Sequence, residues 1–120
     1  MATNSKIAWT RSASLPVPTD RASGTAVLSG ATAGRLHGVL LTDEGAGGNA
    51  DGYATVALDG SFDLPVTTTT TMVAGQPVYI IPATHVLTPS ATDNDLFGYA
   101  MEAKSAANPE TIEVMIASQV

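Results

Sequence analysis

Apolar residues fall in short runs along this chain, most clearly between Val73 and Ile116. Val78-Tyr-Ile-Ile, His85-Val-Leu-Thr, Leu96-Phe-Gly-Tyr-Ala and Thr111-Ile-Glu-Val-Met-Ile are each of strand length and are separated by Gly, Pro, Asn and Asp. That punctuation belongs to short antiparallel strands. The stretch reads as a closed piece of barrel, with a turn at Ala83-Thr84 and a polar loop from Pro89 to Asp95. Gly75 suits the positive φ of a strand-opening corner, and Gly98 inside a strand marks a bulge or a close backbone approach.

Upstream, Gly24-Thr-Ala-Val-Leu-Ser-Gly, Leu36-His-Gly-Val-Leu-Leu and the alternating Tyr53-Ala-Thr-Val-Ala-Leu continue the pattern. At Asp59-Gly60 a three-residue hairpin loop with Gly60 left-handed would set Val56 opposite Phe62 and Ala54 opposite Leu64, keeping the large apolar residues on one face. Pro65 ends or edges that second strand, and the five threonines from Thr67 to Thr71 form an extended connector without alternation.

The runs also repeat. Gly24-Thr-Ala-Val-Leu matches Gly75-Gln-Pro-Val-Tyr, Leu36-His-Gly-Val matches Leu96-Phe-Gly-Tyr, and Ala54-Thr-Val-Ala-Leu matches Ile112-Glu-Val-Met-Ile, at offsets of 51, 60 and 58 residues. The expected fold is therefore all-β: a small antiparallel β-barrel or sandwich over residues 22–120, built of two related half-units. Gly24, Gly38, Gly60, Gly75 and Gly98 are its expected structural turns. Residues 1–21 read as an extended N-terminal arm, because Pro16 and Pro18 interrupt any regular ladder. Within it Ile7-Ala-Trp-Thr10 is an isolated strand-like island. Either Trp9 folds back on its own domain, or the arm adds a strand to a neighbour, with Ile7, Trp9, Leu15 and Val17 as the side chains to be buried.

Composition narrows the function. In 120 residues, 44% are hydrophobic but 19 of these are Ala, so the core is modest and a partner or self-association is expected to add stability. The 16 threonines against six aromatic residues favour thin β-branched sheets. Five basic and eleven acidic residues give a net charge of −6, and the basic ones are scattered, so nucleic acid is not an expected partner. There is no Cys for a disulfide or thiolate metal site, no apolar run of membrane-spanning length, and no apolar signal-peptide core at the N-terminus.

Catalysis, a cofactor and a metal are not expected. His37 and His85 are the sole histidines and sit on or beside apolar strands, without a nucleophile elbow. Asp43-Glu44 point to opposite faces if extended, and Asp93-Asn-Asp95 is turn chemistry. The glycine-rich loop 45–52 precedes a strand and not a helix, so it is read as a surface loop and not a phosphate cradle.

The order Gly24-x-x-Val, an alternating strand with Asp59-Gly60 running into Phe62-Asp-Leu-Pro-Val, then Gly75-Gln-Pro-Val-Tyr, Leu96-Phe-Gly-Tyr-Ala and the final Ile112-Glu-Val-Met-Ile resembles the capsid cement proteins of tailed bacteriophages. The resemblance covers residues 22–117 and departs at Gln76, where the family often has Asp, and in the long loop 43–52. It implies a homotrimer, made in the host bacterial cytoplasm, that sits on the outside of the head at three-fold positions and clamps major capsid (coat) protein subunits. The rival expectation is a tail or fibre module binding a receptor or glycan through Trp9, Tyr53, Tyr79, Phe97 and Tyr99.

Overall fold

The computed structural model describes residues 11–29 and 36–117. All regular structure among them is β: β1 (Ser12–Pro16), β2 (Ala26–Ser29), β3 (Leu36–Leu40), β4 (Tyr53–Ala57), β5 (Ser61–Val66), β6 (Pro77–Ile80), β7 (Leu87–Thr88), β8 (Asp95–Ala100) and β9 (Glu110–Ile116). The first four make an open sheet in the order β1-β4-β3-β2, and the remaining five close into a barrel, β5-β7-β6-β8-β9. In β9 the alternation that predicted a strand turns Ile112, Val114 and Ile116 inward while Thr111, Glu113 and Met115 stay partly or fully exposed.

The two halves are copies of one unit at the level of hydrogen bonds. Gly24 N–H donates to Leu40 O and Leu40 N–H to Thr25 O; Gly75 N–H donates to Ala100 O and Ala100 N–H to Gln76 O. Val27 faces Gly38 as Val78 faces Gly98, and Val39 faces Ala57 as Tyr99 faces Met115. The correspondence begins earlier than the sequence repeat suggested. Ser12 pairs with Ala57 and Leu15 with Ala54, while Ser61 pairs with Met115 and Leu64 with Ile112. Ser12-Ala-Ser-Leu-Pro-Val17 thus stands where Ser61-Phe-Asp-Leu-Pro-Val66 stands.

Two expectations are corrected by this arrangement. The arm of residues 1–21 is not separate from the domain over its second part: residues 12–16 are the edge strand β1, and Val17 N–H bonds Gly52 O. Pro16 is tolerated because the ladder bonds run through Arg11, Ala13, Leu15 and Val17, so the missing N–H of Pro16 faces away from β4. Nor do β4 and β5 form a hairpin. They belong to different sheets, and Val56 and Ala54 lie opposite Ala13 and Leu15, the first-half counterparts of Phe62 and Leu64. The Asp59 carboxylate accepts from Arg11 N–H at 2.7 Å, and Gly60 at φ 96° carries the chain out of one sheet into the other.

One core cluster fills the barrel with Phe62, Leu64, Val66, Val78, Ile80 and Val114 among others, and extends onto Ala26, Leu28, Val39 and Ala57 of the open sheet. A second joins Val17, Val27, Leu40, Ala54 and Val56, with Leu15 and Leu58 packed against it. The halves differ in closure. In the second half β7 lies between β5 and β6, parallel to one and antiparallel to the other, and Thr67 N–H donates to Leu87 O. Among the described residues no strand holds the corresponding place between β1 and β2.

Candidate functional site

Of the residues singled out as partner contacts, Ile7 and Trp9 lie outside the described residues. Leu15 and Val17 do not project from the domain: they pack in the second core cluster of their own chain. The expected contact set is therefore not brought together as one free surface over Leu15 and Val17.

The glycines occupy two kinds of position. Gly24, Gly60 and Gly75 have φ of 84°, 96° and 90°, values that a β-carbon disfavours. Gly38 and Gly98 are close approaches: a Cβ at Gly38 would stand 2.1 Å from Ala57 O, and one at Gly98 would stand 1.9 Å from Met115 O.

Both histidines are held within the fold. His37 is buried, its Nε2 is 2.8 Å from Ala117 O, and its ring centroid is 5.7 Å from that of Phe97, its counterpart in the repeat. Burial holds the His37 pKa below its ordinary value, opposed by the Ala117 carbonyl and by Asp95. His85, at φ 61°, places Nδ1 3.5 Å from the Leu28 N–H. The Asp43–Glu44 pair serves the backbone. Asp43 accepts from Ser23 N–H, and Glu44 accepts from the N–H groups of Asp20 and Gly52, tying the loop 43–52 to the turn before β2. Among the described residues no cluster of three or more His, Asp and Glu side chains is placed to hold a metal. No helix of the described residues is long and apolar enough to cross a membrane.

Of the aromatic residues named as a possible glycan platform, Trp9 lies outside the described residues and the others are divided between core, open sheet and barrel, with Tyr79 and Tyr99 on neighbouring barrel strands. Phe97 is fully buried, Tyr53 belongs to the open sheet, and Tyr99 belongs to the barrel. Tyr99 instead lies between Pro77 and Met115 across three strands, and the same half carries Val73, Leu96 and Met101 exposed.

Lys104 escaped the sequence reading. It is 2% exposed, yet its Nζ donates to Thr68 O, Ser105 O and Ala107 O at 2.8, 2.9 and 2.6 Å. A lysine so enclosed is satisfied by carbonyls in place of water, and it pins the threonine run to the 105–109 turn. No periodicity in the sequence signals it.

Two features are open to a partner. The barrel has no free strand edge, whereas the open sheet ends on β1 and β2. Because Thr25 O is bonded to β3, alternation directs the polar backbone groups of Ala26 and Leu28 away from the sheet. Beside that edge lies a cleft of about 190 Å³ between Thr25–Ala26 and Pro65, His85 and Leu87, with Arg21 also in its lining.

A family model described as phage cement protein matches residues 9–116. Curated proteins and solved structures offer no match to the chain.

Proposed function

The chain belongs to the phage cement proteins, a family of structural phage proteins, and from that premise we propose that it binds the outer surface of the phage head as a homotrimer at three-fold positions. There it clamps neighbouring coat subunits after the shell has expanded. It acts by contact alone, without catalysis or cofactor, and is made in the host cytoplasm before it docks. The observation that carries this reading is the family match, which spans nearly the whole chain from residue 9 to residue 116.

The geometry supports it physically. Half of the molecule is an edgeless barrel, which resists unwanted strand pairing, while the other half keeps two edges. Val73, Leu96, Tyr99 and Met101 are exposed apolar side chains on the barrel half, suited to burial between subunits. A ring with closed three-fold symmetry is the form of self-association that matches a three-fold site.

Co-sedimentation tests the proposal. Purified protein mixed with expanded empty heads should pellet with them in stoichiometric amounts and should not bind glycan arrays. Binding to glycans with no binding to heads would favour the fibre-module alternative and remove this one.

A further inference from the structure

The internal repeat supplies a control for reading the open sheet. In the second half the outward edge of β6 is covered by β7, with Tyr79 opposite Thr88 and Ile80 opposite Leu87. The corresponding first-half residues, Leu28 and Ser29 on β2, have no strand beside them among the described residues. The connection after β2 is residues 30–35, whereas the connection after β6 runs from 81 to 94 and includes β7.

This edge, uncovered among the described residues, is chemically specific. The Ala26 N–H and carbonyl face outward without a hydrogen-bond partner among the described residues, and Leu28 N–H has only the 3.5 Å contact with His85 Nδ1. At 3.5 Å that bond is at the limit of useful length. Buried or half-buried backbone groups left in this state cost free energy that an added strand would recover. The cleft opens at the start of this edge, beside Thr25 and Ala26, and its lining contains one formal charge, Arg21. Among the described residues the Arg21 guanidinium makes a single long hydrogen bond, 3.4 Å to Thr84 O, leaving most of its donors for a ligand.

We propose that the outward edge of β2 receives an extended segment of coat protein, laid antiparallel along Ala26–Leu28 with a carboxylate beside Arg21. This rests on the cement reading and adds to it the docking edge and the chemistry of the partner segment. A second copy of the chain could pair here through its own β2, an outcome the test below separates, but its other elements are poorer donors. Its barrel has no edge to offer, and the outward side of its β1 carries Pro16, with Pro18 just beyond, neither of which has an N–H. A volume of about 190 Å³, against roughly 30 Å³ for a water molecule in the liquid, admits a short extended stretch and no folded element. Strand addition would supply affinity through the main chain, and Arg21 would supply selectivity for an acidic residue.

Ala26→Pro is the discriminating variant, because Pro77 holds the corresponding place in the second half and the unit accommodates it there. It removes the outward N–H while keeping the β3 ladder. The assay is decoration of expanded heads by the intact protein, with melting temperature measured in parallel and amide exchange followed at Ala26 and Leu28. We expect Ala26→Pro and Arg21→Glu each to melt like wild type but to bind heads at least about tenfold more weakly, and both amides to exchange more slowly on wild-type binding. If Ala26→Pro fails to fold, Arg21→Glu and the exchange data decide. Decoration by Arg21→Glu at wild-type affinity with no protection of the two amides overturns the proposal while leaving the cement reading intact. A wild-type dimer in solution that Ala26→Pro dissolves overturns it in favour of β2 pairing with itself. Wild-type protein that does not bind heads overturns both readings.

Discussion

Replacing Gly98 by Ala should be among the most damaging single changes in the molecule, although it adds one methyl group. The new Cβ would stand 1.9 Å from Met115 O and 2.9 Å from Met115 C, and both are backbone atoms that cannot rotate away. Restoring even a tight contact of about 3 Å requires β8 and β9 to separate by roughly 1 Å, which takes a hydrogen bond of normal length out of range. The bond from Ala117 N–H to Phe97 O, now 2.9 Å, and the ladder around Tyr99 and Met115 are the ones exposed to this movement. Two buried bonds lost at about 1–3 kcal/mol each give a cost of about 2–6 kcal/mol. That is a large share of the roughly 5–15 kcal/mol that holds a domain together.

Gly75→Ala is the matched control. Its φ is 90°, but nothing lies within 4 Å of the added methyl, so the cost is the left-handed backbone alone, about 1–2 kcal/mol. Urea titrations followed by far-ultraviolet circular dichroism, with thermal melts alongside, separate the two. At roughly 4 °C per kcal/mol for a chain of this size, Gly98→Ala should lose about 8–24 °C and Gly75→Ala about 4–8 °C. A Gly98→Ala protein melting within a few degrees of wild type, or a reversed order, would refute the close-approach argument. Gly38→Ala meets Ala57 O at 2.1 Å and Val56 Cγ1 at 2.7 Å. Its loss should be of the same kind but smaller, since an open sheet yields more readily than a closed barrel.

Lys104→Met should cost about 2–4 kcal/mol, because it strands the carbonyls of Thr68, Ser105 and Ala107; a denaturation midpoint equal to wild type would show that water replaces the ammonium. Acidification should lower stability in two stages. The His37 pKa is depressed in the folded state by burial, so the unfolded chain takes up the proton first, and stability falls as pH drops below the ordinary value of 6.5. Glu110 is depressed chiefly by its hydrogen bonds from Ser105, so its contribution is present above the ordinary value of 4.5 and is lost below it. Melts between pH 8 and 3 should show both, and His37→Phe should flatten the upper stage alone. Deleting residues 2–18 removes β1 and the buried Val17 and should lower stability by at least about 3 kcal/mol. Deleting residues 2–10 spares every described strand and should leave a folded protein that attaches to heads more weakly, with Trp9→Ala reproducing a good part of that loss; undiminished decoration by both would make Trp9 a passenger.

The strands and the repeat were readable because each depends on local alternation and on glycines at fixed places. Val27 and Val78, or Val56 and Val114, announce their faces without any knowledge of their partners. Partnership was harder. Val56 and Phe62 flank a convincing Asp-Gly turn, yet the true neighbours are Ala13 for Val56 and Val114 for Phe62, because alternation specifies a face and leaves the pairing strand open. β1 was hidden by Pro16 and Pro18, the ordinary marks of an interrupted ladder. The shared Ser-x-x-Leu-Pro-Val in residues 12–17 and 61–66 was the signal that would have revealed it. β7 lies within the His85-Val-Leu-Thr run that reads as a strand, but at two residues long it carries too little pattern to show that it joins β5 to β6. The cleft was beyond reach, since it joins Arg21 and Ala26 to His85 and Leu87 through tertiary packing alone.

The most direct test of the cement function is an electron cryomicroscopy reconstruction of expanded heads decorated with the purified protein. Three copies of the β fold around each three-fold position, on the outer surface and touching more than one coat subunit, are the expected result. Undecorated heads at saturating protein, or density confined to the tail, would contradict it.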